Sequence, residues 1–204
     1  MSLVVGFSGV SGAIIGADMR EVLLWGGDSQ TGQLERELYS GKITTDRELA
    51  QRAAELGVKL SIRDTKVKVR DQEGVLIGEV TESDGGVVRK RRLYITAGEY
   101  AIADIRDLHF DLRSWESRSS FVVLGNEVTK KIAHEAIRAG WKNGTFEEAI
   151  QVIIAALETA ASETASVSKN HLILQTRVKT GLSAIIERDR GEAEGTGDDH
   201  SQDH

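Results

Sequence analysis

Residues 1–20 read M-S-L-V-V-G-F-S-G-V-S-G-A-I-I-G-A-D-M-R: an apolar run, a glycine-bearing tetrad, and a second apolar run that ends on Asp18 and Arg20. Residues 3–8 are β-prone, 9–12 are turn-rich and 13–17 are apolar again, so the stretch predicts a β-hairpin. A hairpin lays its return strand beside the first, which brings Asp18 and Arg20 back towards the start of the chain. Ser2 follows Met1, and its small side chain favours removal of the initiator methionine. A terminal serine carries a hydroxyl and a free α-amine on one residue. The amine, with a reference pKa of about 7.7 to 8.0, can serve as a built-in general base for the hydroxyl. Ser2 is therefore the candidate nucleophile, with Asp18 and Arg20 as candidate partners.

Working outward, E-V-L-L-W (21–25) is expected to extend the return strand until Gly26-Gly27-Asp28 ends it. Residues 30–39 are polar and show no clear period. Thr45 and Glu48 form a capping box and Gly57 a stop, which predicts a helix over about 46–56, with Lys42 just before it. Apolar and polar positions alternate at 58–63, 67–69, 75–80, 93–96, 100–105 and 121–124, with D-Q-E-G and S-D-G-G turns between, as in an antiparallel sheet. An amphipathic helix is expected over 127–139. Thr145 and Glu148 cap another over about 146–161; then come a loop (162–170), a strand (171–176) and either a strand or a short helix (182–187). From Arg188 onward no large apolar residue remains, so 1–187 reads as one domain and 188–204 as an acidic disordered tail. Strands first and helices late indicate an α+β fold.

The order Ser2, strand, turn, strand, Asp18-x-Arg20 resembles the amino terminus of proteasome β-type subunits. F-V-V-L-G (121–125), the helix after it, the segment 145–161 and Glu163-x-x-Ser166 follow the same order. With E-L-Y-S-G-K-I (37–43) and S-V-S-K (166–169), the chain is similar to a proteasome-related family of methanogenic archaea. Its characterised members are the connectases, which are sequence-specific protein ligases. The resemblance implies the four-layer αββα sandwich of N-terminal-nucleophile hydrolases, in a version without the C-terminal domain of the named connectases. It also implies transpeptidation: attack by Ser2, an acyl-ester intermediate, and transfer to an acceptor amine, with no metal and no cofactor. The implied substrate is a protein or peptide with a motif of the Lys-Asp-Pro-Gly-Ala type, one candidate being a subunit of the methanogenic methyltransferase complex.

The proteasome pattern pairs its aspartate with a lysine, and Lys42 is assigned that place. Asn126, within Gly125-Asn126-Glu127, stands where the pattern has a serine that assists the terminal amine. Glu163 and Ser166 stand where it has an aspartate and a serine three apart. Each residue also has a plainer reading. Lys42 is otherwise a solvated residue before a helix, Asn126 a helix cap, and Asp18 an ordinary hairpin-end carboxylate paired with Arg20. Backbone amides at 44–46 are the candidate oxyanion donors, because free N–H groups gather at helix starts. A plain serine-type peptidase and a non-catalytic peptide-binding scaffold are the competing functions.

Composition narrows the field further. The chain has 204 residues, 40% of them apolar, which suffices for one core. It has no cysteine, which excludes disulfides, thiolate metal sites and cysteine nucleophiles. A net charge of −6 argues against a nucleic-acid or anionic-membrane surface. The apolar start has no basic flank and the apolar run at 149–157 is too short to span a bilayer, so a cytoplasmic protein without membrane insertion is expected. Arg89-Lys90-Arg91-Arg92 is the densest charge run, to be read as a solvated hairpin or as a docking strip for an acidic substrate segment. Oligomeric state is left open. Proline is absent where about ten residues would be average; we have no physical account of that.

Overall fold

The opening stretch forms the expected hairpin, in which β1 (Val4–Gly9) and β2 (Gly12–Asp18) pair antiparallel with Gly9 opposite Gly12. The structure is a computed structural model that describes residues 3–84, 87–107 and 109–195. β10 (Ser120–Leu124) joins the free edge of β1 and β11 (His171–Thr176) that of β2, giving a four-stranded sheet in the order β10-β1-β2-β11. Both faces of β1 and β2 are buried, which is why they read as continuous apolar runs rather than alternating ones.

One face of this sheet presents Leu3, Val5, Phe7 and Ile14 to α3 (Glu127–Gly140) and α4 (Phe146–Glu163). The other presents Val4, Ala13, Ile15 and Ala17 to a second sheet. That sheet has five strands in chain order: β5 (Val69–Gln72), β6 (Val75–Asp84), β7 (Val87–Thr96), β8 (Glu99–Arg106) and β9 (His109–Glu116). The sheets approach each other through glycine. A Cβ on Gly78 of β6 would meet Ile15 Cδ1 and Val4 Cγ1 at 2.7 Å, and one on Gly6 of β1 would meet Leu93 Cδ2 at 2.8 Å. β9 was not legible as a strand, because only Phe110 and Leu112 turn inward while charged residues occupy its exposed edge.

The outer face of the five-stranded sheet is covered by Leu182 and by Ile185 and Ile186 of α5 (Ser183–Gly195). The segment from Arg188 was expected to be a disordered tail, but 188–195 continue this helix; residues 196–204 lie outside the described residues. The anchor is polar, which is why an apolar pattern did not reveal it. Buried Asp189 accepts from Tyr94 Oη at 2.7 Å and Arg92 Nη1 at 2.6 Å. The same network takes up part of the basic run: Arg92 and Lys90 reach Glu79 and Arg91 grips Asp104.

Between β2 and β5 the chain makes an excursion. E-V-L-L-W does not extend β2; it forms β3 (Glu21–Trp25), which among the described residues pairs only with β4 (Lys59–Arg63). Inside this ribbon lie α1 (Asp28–Tyr39) and α2 (Asp46–Glu55), the latter opened by the expected Thr45/Glu48 capping box. α1 escaped the sequence reading because its fully buried stripe is only Leu34 and Leu38. These two, with Ile43, Leu49, Ala53 and Val58, make a small core of their own. Arg52 of α2 clasps Glu37 of α1 through two bonds of 2.7 and 2.8 Å. Among the described residues no helix is long and apolar enough to cross a membrane.

Two expectations follow. Gly78→Val overpacks the inter-sheet contact and lowers unfolding free energy by about 1–3 kcal/mol in urea melts. The Arg52 and Gln33 bonds hold the Glu37 carboxyl down to about 2 from its usual 4.5. A carboxyl whose pKa is depressed on folding contributes stability that is complete above 4.5 and lost as pH falls through about 2. The stability gap between wild type and Glu37→Gln therefore closes between those values in acid denaturation series.

Candidate active site

β2 ends on Asp18, whose side chain is 0% exposed. Its Oδ1 accepts the Leu3 N–H at 2.8 Å; its Oδ2 accepts the Arg20 N–H at 2.8 Å and the Lys68 ammonium at 2.7 Å. Lys68, 2% exposed, lies just ahead of β5 and is tied to β6 by the bond from Glu79 N–H to its carbonyl. Burial drives the Lys68 ammonium below its usual pKa and the Asp18 carboxylate opposes the shift. Three donors, one of them the Lys68 ammonium, thus meet the buried Asp18 carboxylate at the foot of β1.

Lys42, expected in that place, is exposed and lies in a hollow with Glu37, Glu48 and Arg52. The lysine was misplaced because the α1–α2 excursion separates it from Asp18 by 50 residues. The signal present in the sequence was K-V-K-V-R (66–70), an alternation that sets Lys66, Lys68 and Arg70 on one side of an extended segment.

Arg20 is a second hub, and its side chain does not pair with Asp18. Nε and Nη2 bond Asp64 at 2.9 and 3.0 Å, Nη1 and Nη2 reach Asp46 at the start of α2, and Nη1 also donates to the Ala165 carbonyl at 2.8 Å. Burial works against its charge, but the two carboxylates raise its pKa above the ordinary arginine value. Asp46 and Asp64 had no separate signal in the sequence.

The segment after α4 closes the site from the other side. Ser166 is 1% exposed and its Oγ lies 3.0 Å from Thr164 Oγ1, while Ser168 Oγ accepts the Met19 N–H at 3.0 Å. Glu163 is not brought in: it is the exposed last residue of α4, and Thr164 takes the contact with Ser166 instead. Asn126 is the N-cap of α3, accepting the Thr129 N–H at 2.8 Å. Ser2 lies outside the described residues, one peptide bond from the buried Leu3. The oxyanion donors expected near 44–46 are in part spoken for, since Glu48 accepts the N–H groups of both Thr44 and Thr45.

Two cavities meet Arg20. One of about 300 Å³ is lined by Tyr39, Lys66, Lys68, Arg70 and Glu79. The other, about 580 Å³, is lined by Thr45, Asp46, Asp64, Thr164 and Lys169. Tyr39 is pushed above its ordinary pKa by burial, with Glu35 and Asp18 adding to the effect. Among the described residues no group of three or more His, Asp and Glu side chains is placed to hold a metal ion.

Residues 1–190 match the sequence model of the family described as Connectase MJ0548-like, N-terminal domain. No curated protein matches. Among solved structures the chain is similar to Anbu (ancestral beta-subunit) from Yersinia bercovieri, at 12% identity over 99% of this chain and 97% of that one, with a TM-score of 0.40. It is also similar to the Anbu (Gly-1) mutant from Hyphomicrobium sp. strain MC1, at 10% identity over 96% and 97%, with a TM-score of 0.38.

Removing one member of a buried ion pair strands the other, at a typical cost of about 3–5 kcal/mol. Lys68→Ala is expected to fall in that range in urea melts. Lys42→Ala, at an exposed position, stays within about 0.5 kcal/mol of wild type.

Proposed function

From the chain's membership of the Connectase MJ0548-like N-terminal-domain family, we propose that it is an N-terminal-nucleophile acyltransferase that cleaves a specific peptide bond and passes the acyl fragment from Ser2 to an acceptor amine. The observation that carries this reading is the buried Asp18–Lys68 pair bonded to the Leu3 N–H. It anchors the backbone one peptide bond from Ser2 and supplies a nearby positive charge. A cation there favours the neutral α-amine, the form that can take the Ser2 hydroxyl proton, and stabilises negative charge developing on the oxygen. The succession of α3 and α4, two sheets and α5 supports the four-layer αββα reading of the fold.

The steps are those of acyl transfer. Ser2 Oγ gives its proton to the α-amine as it bonds the substrate carbonyl carbon. The scissile C–N bond breaks and the leaving amine takes the proton, so an ester remains on Ser2. An acceptor amine then attacks the ester, a peptide bond forms, and Oγ regains a proton. The two cavities beside Arg20 offer separate room for the acyl and amine segments.

The test is incubation with a peptide of the Lys-Asp-Pro-Gly-Ala type plus a labelled amine peptide, read by mass spectrometry. The expected result is loss of Met1, an ester adduct on Ser2 and labelled transfer product, with Ser2→Ala slower by about a thousandfold or more. Hydrolysed product alone would make the protein a peptidase. Retained Met1 in protein from its own host, with Ser2→Ala unchanged, would leave only a binding scaffold.

A further inference from the structure

Both cavities lie on one seam, between the β3–α1–α2–β4 excursion and the two-sheet body. The first is lined by Leu23 of β3 and Tyr39 of α1 from the excursion, and by Lys68 and Glu79 from the body. The second takes Thr45 and Asp46 from the excursion and Thr164 and Lys169 from the body. The excursion is nearly a unit of its own. Among the buried residues of its core, only Ala165 comes from outside 21–63. It is fastened to the body at a few points: Asp46 to Arg20, the Ile43 carbonyl to the Ala165 N–H at 3.2 Å, and Gly41 against Val128 of α3. Gly41 has a φ of +75°, and a Cβ there would meet Val128 Cγ1 at 3.1 Å, so the chain after α1 needs glycine to turn this close to α3.

Tyr39 is the last residue of α1 and brings the only aromatic ring to the first cavity among the described residues. Burial holds its phenol above the ordinary pKa, with Glu35 and Asp18 adding to the effect. The ring is therefore a neutral wall in a cavity otherwise rich in charge, near enough to Asp18 to feel its carboxylate. Lys68 lines the same cavity, yet its side chain is 2% exposed, whereas that of Lys66, two residues earlier, is 44% exposed.

We propose that the excursion is the cover that keeps water from the Asp18–Lys68 pair, that Tyr39 is its inner wall, and that this cover sets how much of the acyl fragment goes to an amine and how much to water. This rests on the acyl-transfer reading above. Tyr39 is a positioning residue here, acting through Lys68. Charge interactions strengthen as water is withdrawn, so a covered ammonium acts on neighbouring groups more strongly than an open one. Two nucleophiles compete for the ester carbonyl. An amine forms a C–N bond as the ester C–O bond breaks, and its proton passes to the departing oxygen. Water forms a new C–O bond at the same carbon, gives up its proton in the same way, and the fragment leaves as a free acid. A wall that leaves room for a bound amine segment but holds back loose water favours the first route.

The test uses the full chain and reductive methylation with formaldehyde and a borohydride, read lysine by lysine by tandem mass spectrometry. In wild type Lys66 is methylated, serving as internal standard, and Lys68 is protected. Tyr39→Ala is expected to raise Lys68 methylation by about tenfold, and Tyr39→Leu, which keeps an apolar contact with the excursion core, by about threefold. Tyr39→Phe keeps it at the wild-type level. Ile185→Ala weakens the core under α5 at a position that lines neither cavity, and it leaves Lys68 protected. In the peptide-transfer assay the ratio of transfer to hydrolysis falls by similar factors in Tyr39→Ala and Tyr39→Leu, and Tyr39→Phe restores it.

Unchanged Lys68 methylation in both Tyr39→Ala and Tyr39→Leu overturns the proposal. So does equal exposure of Lys68 in Ile185→Ala, and so does an exposed Lys68 with an unchanged product ratio. Methylation needs no substrate, which separates the two readings. A Lys68 response to Tyr39→Ala, with neither ester nor transfer product in wild type, removes the acyl-transfer reading and leaves the cover over the pair standing.

Discussion

The Asp18 carboxylate is the constraint on which the rest depends. It closes the opening hairpin, holds the backbone of Leu3 and fixes the buried Lys68 ammonium. Two charges moved out of water rarely stabilise a fold by themselves, because their attraction roughly repays desolvation. Burial lowers the Lys68 pKa against the pull of Asp18. A pair of this kind makes physical sense through what it does to neighbouring groups, and perturbed ionisable groups of this kind gather at functional sites.

A second junction, at Arg20, ties three distant parts of the chain together. Asp64 follows β4, Asp46 opens α2 and Ala165 follows α4, and one guanidinium bonds all three. The planar fork of arginine suits this, since each carboxylate is met by two N–H groups. The α1–α2 excursion has its own apolar core, yet it is fastened to the central sheet at its Asp46 end through this residue.

Much of the fold was legible because local patterns and tertiary environment agree. The hairpin, the Thr45 and Thr145 caps, α3, α4 and β11 all stand within a residue or two of where turn chemistry and apolar period place them. Where anchoring is polar, the pattern is silent: the part of α5 beyond residue 187 is held by Asp189 and β9 is edged with charge. Around the candidate site, Asp18 bonds Lys68 where Lys42 was expected, and Ser166 bonds Thr164 while Glu163 stays exposed. The excursion moved the lysine 50 residues from its partner, and two residues of helix beyond the expected end carry Glu163 outward.

The separations that hid the site also govern when it can exist. Asp18 meets Lys68 across 50 residues and Arg20 meets Ala165 across 145, so the pair and its brace draw on nearly the full length of the folded chain. Contacts of such long range form only after the loops between them have closed. A nascent chain still emerging from the ribosome has a bare first strand with no cation beside it. The Arg20 brace is complete only once the segment after α4 is in place.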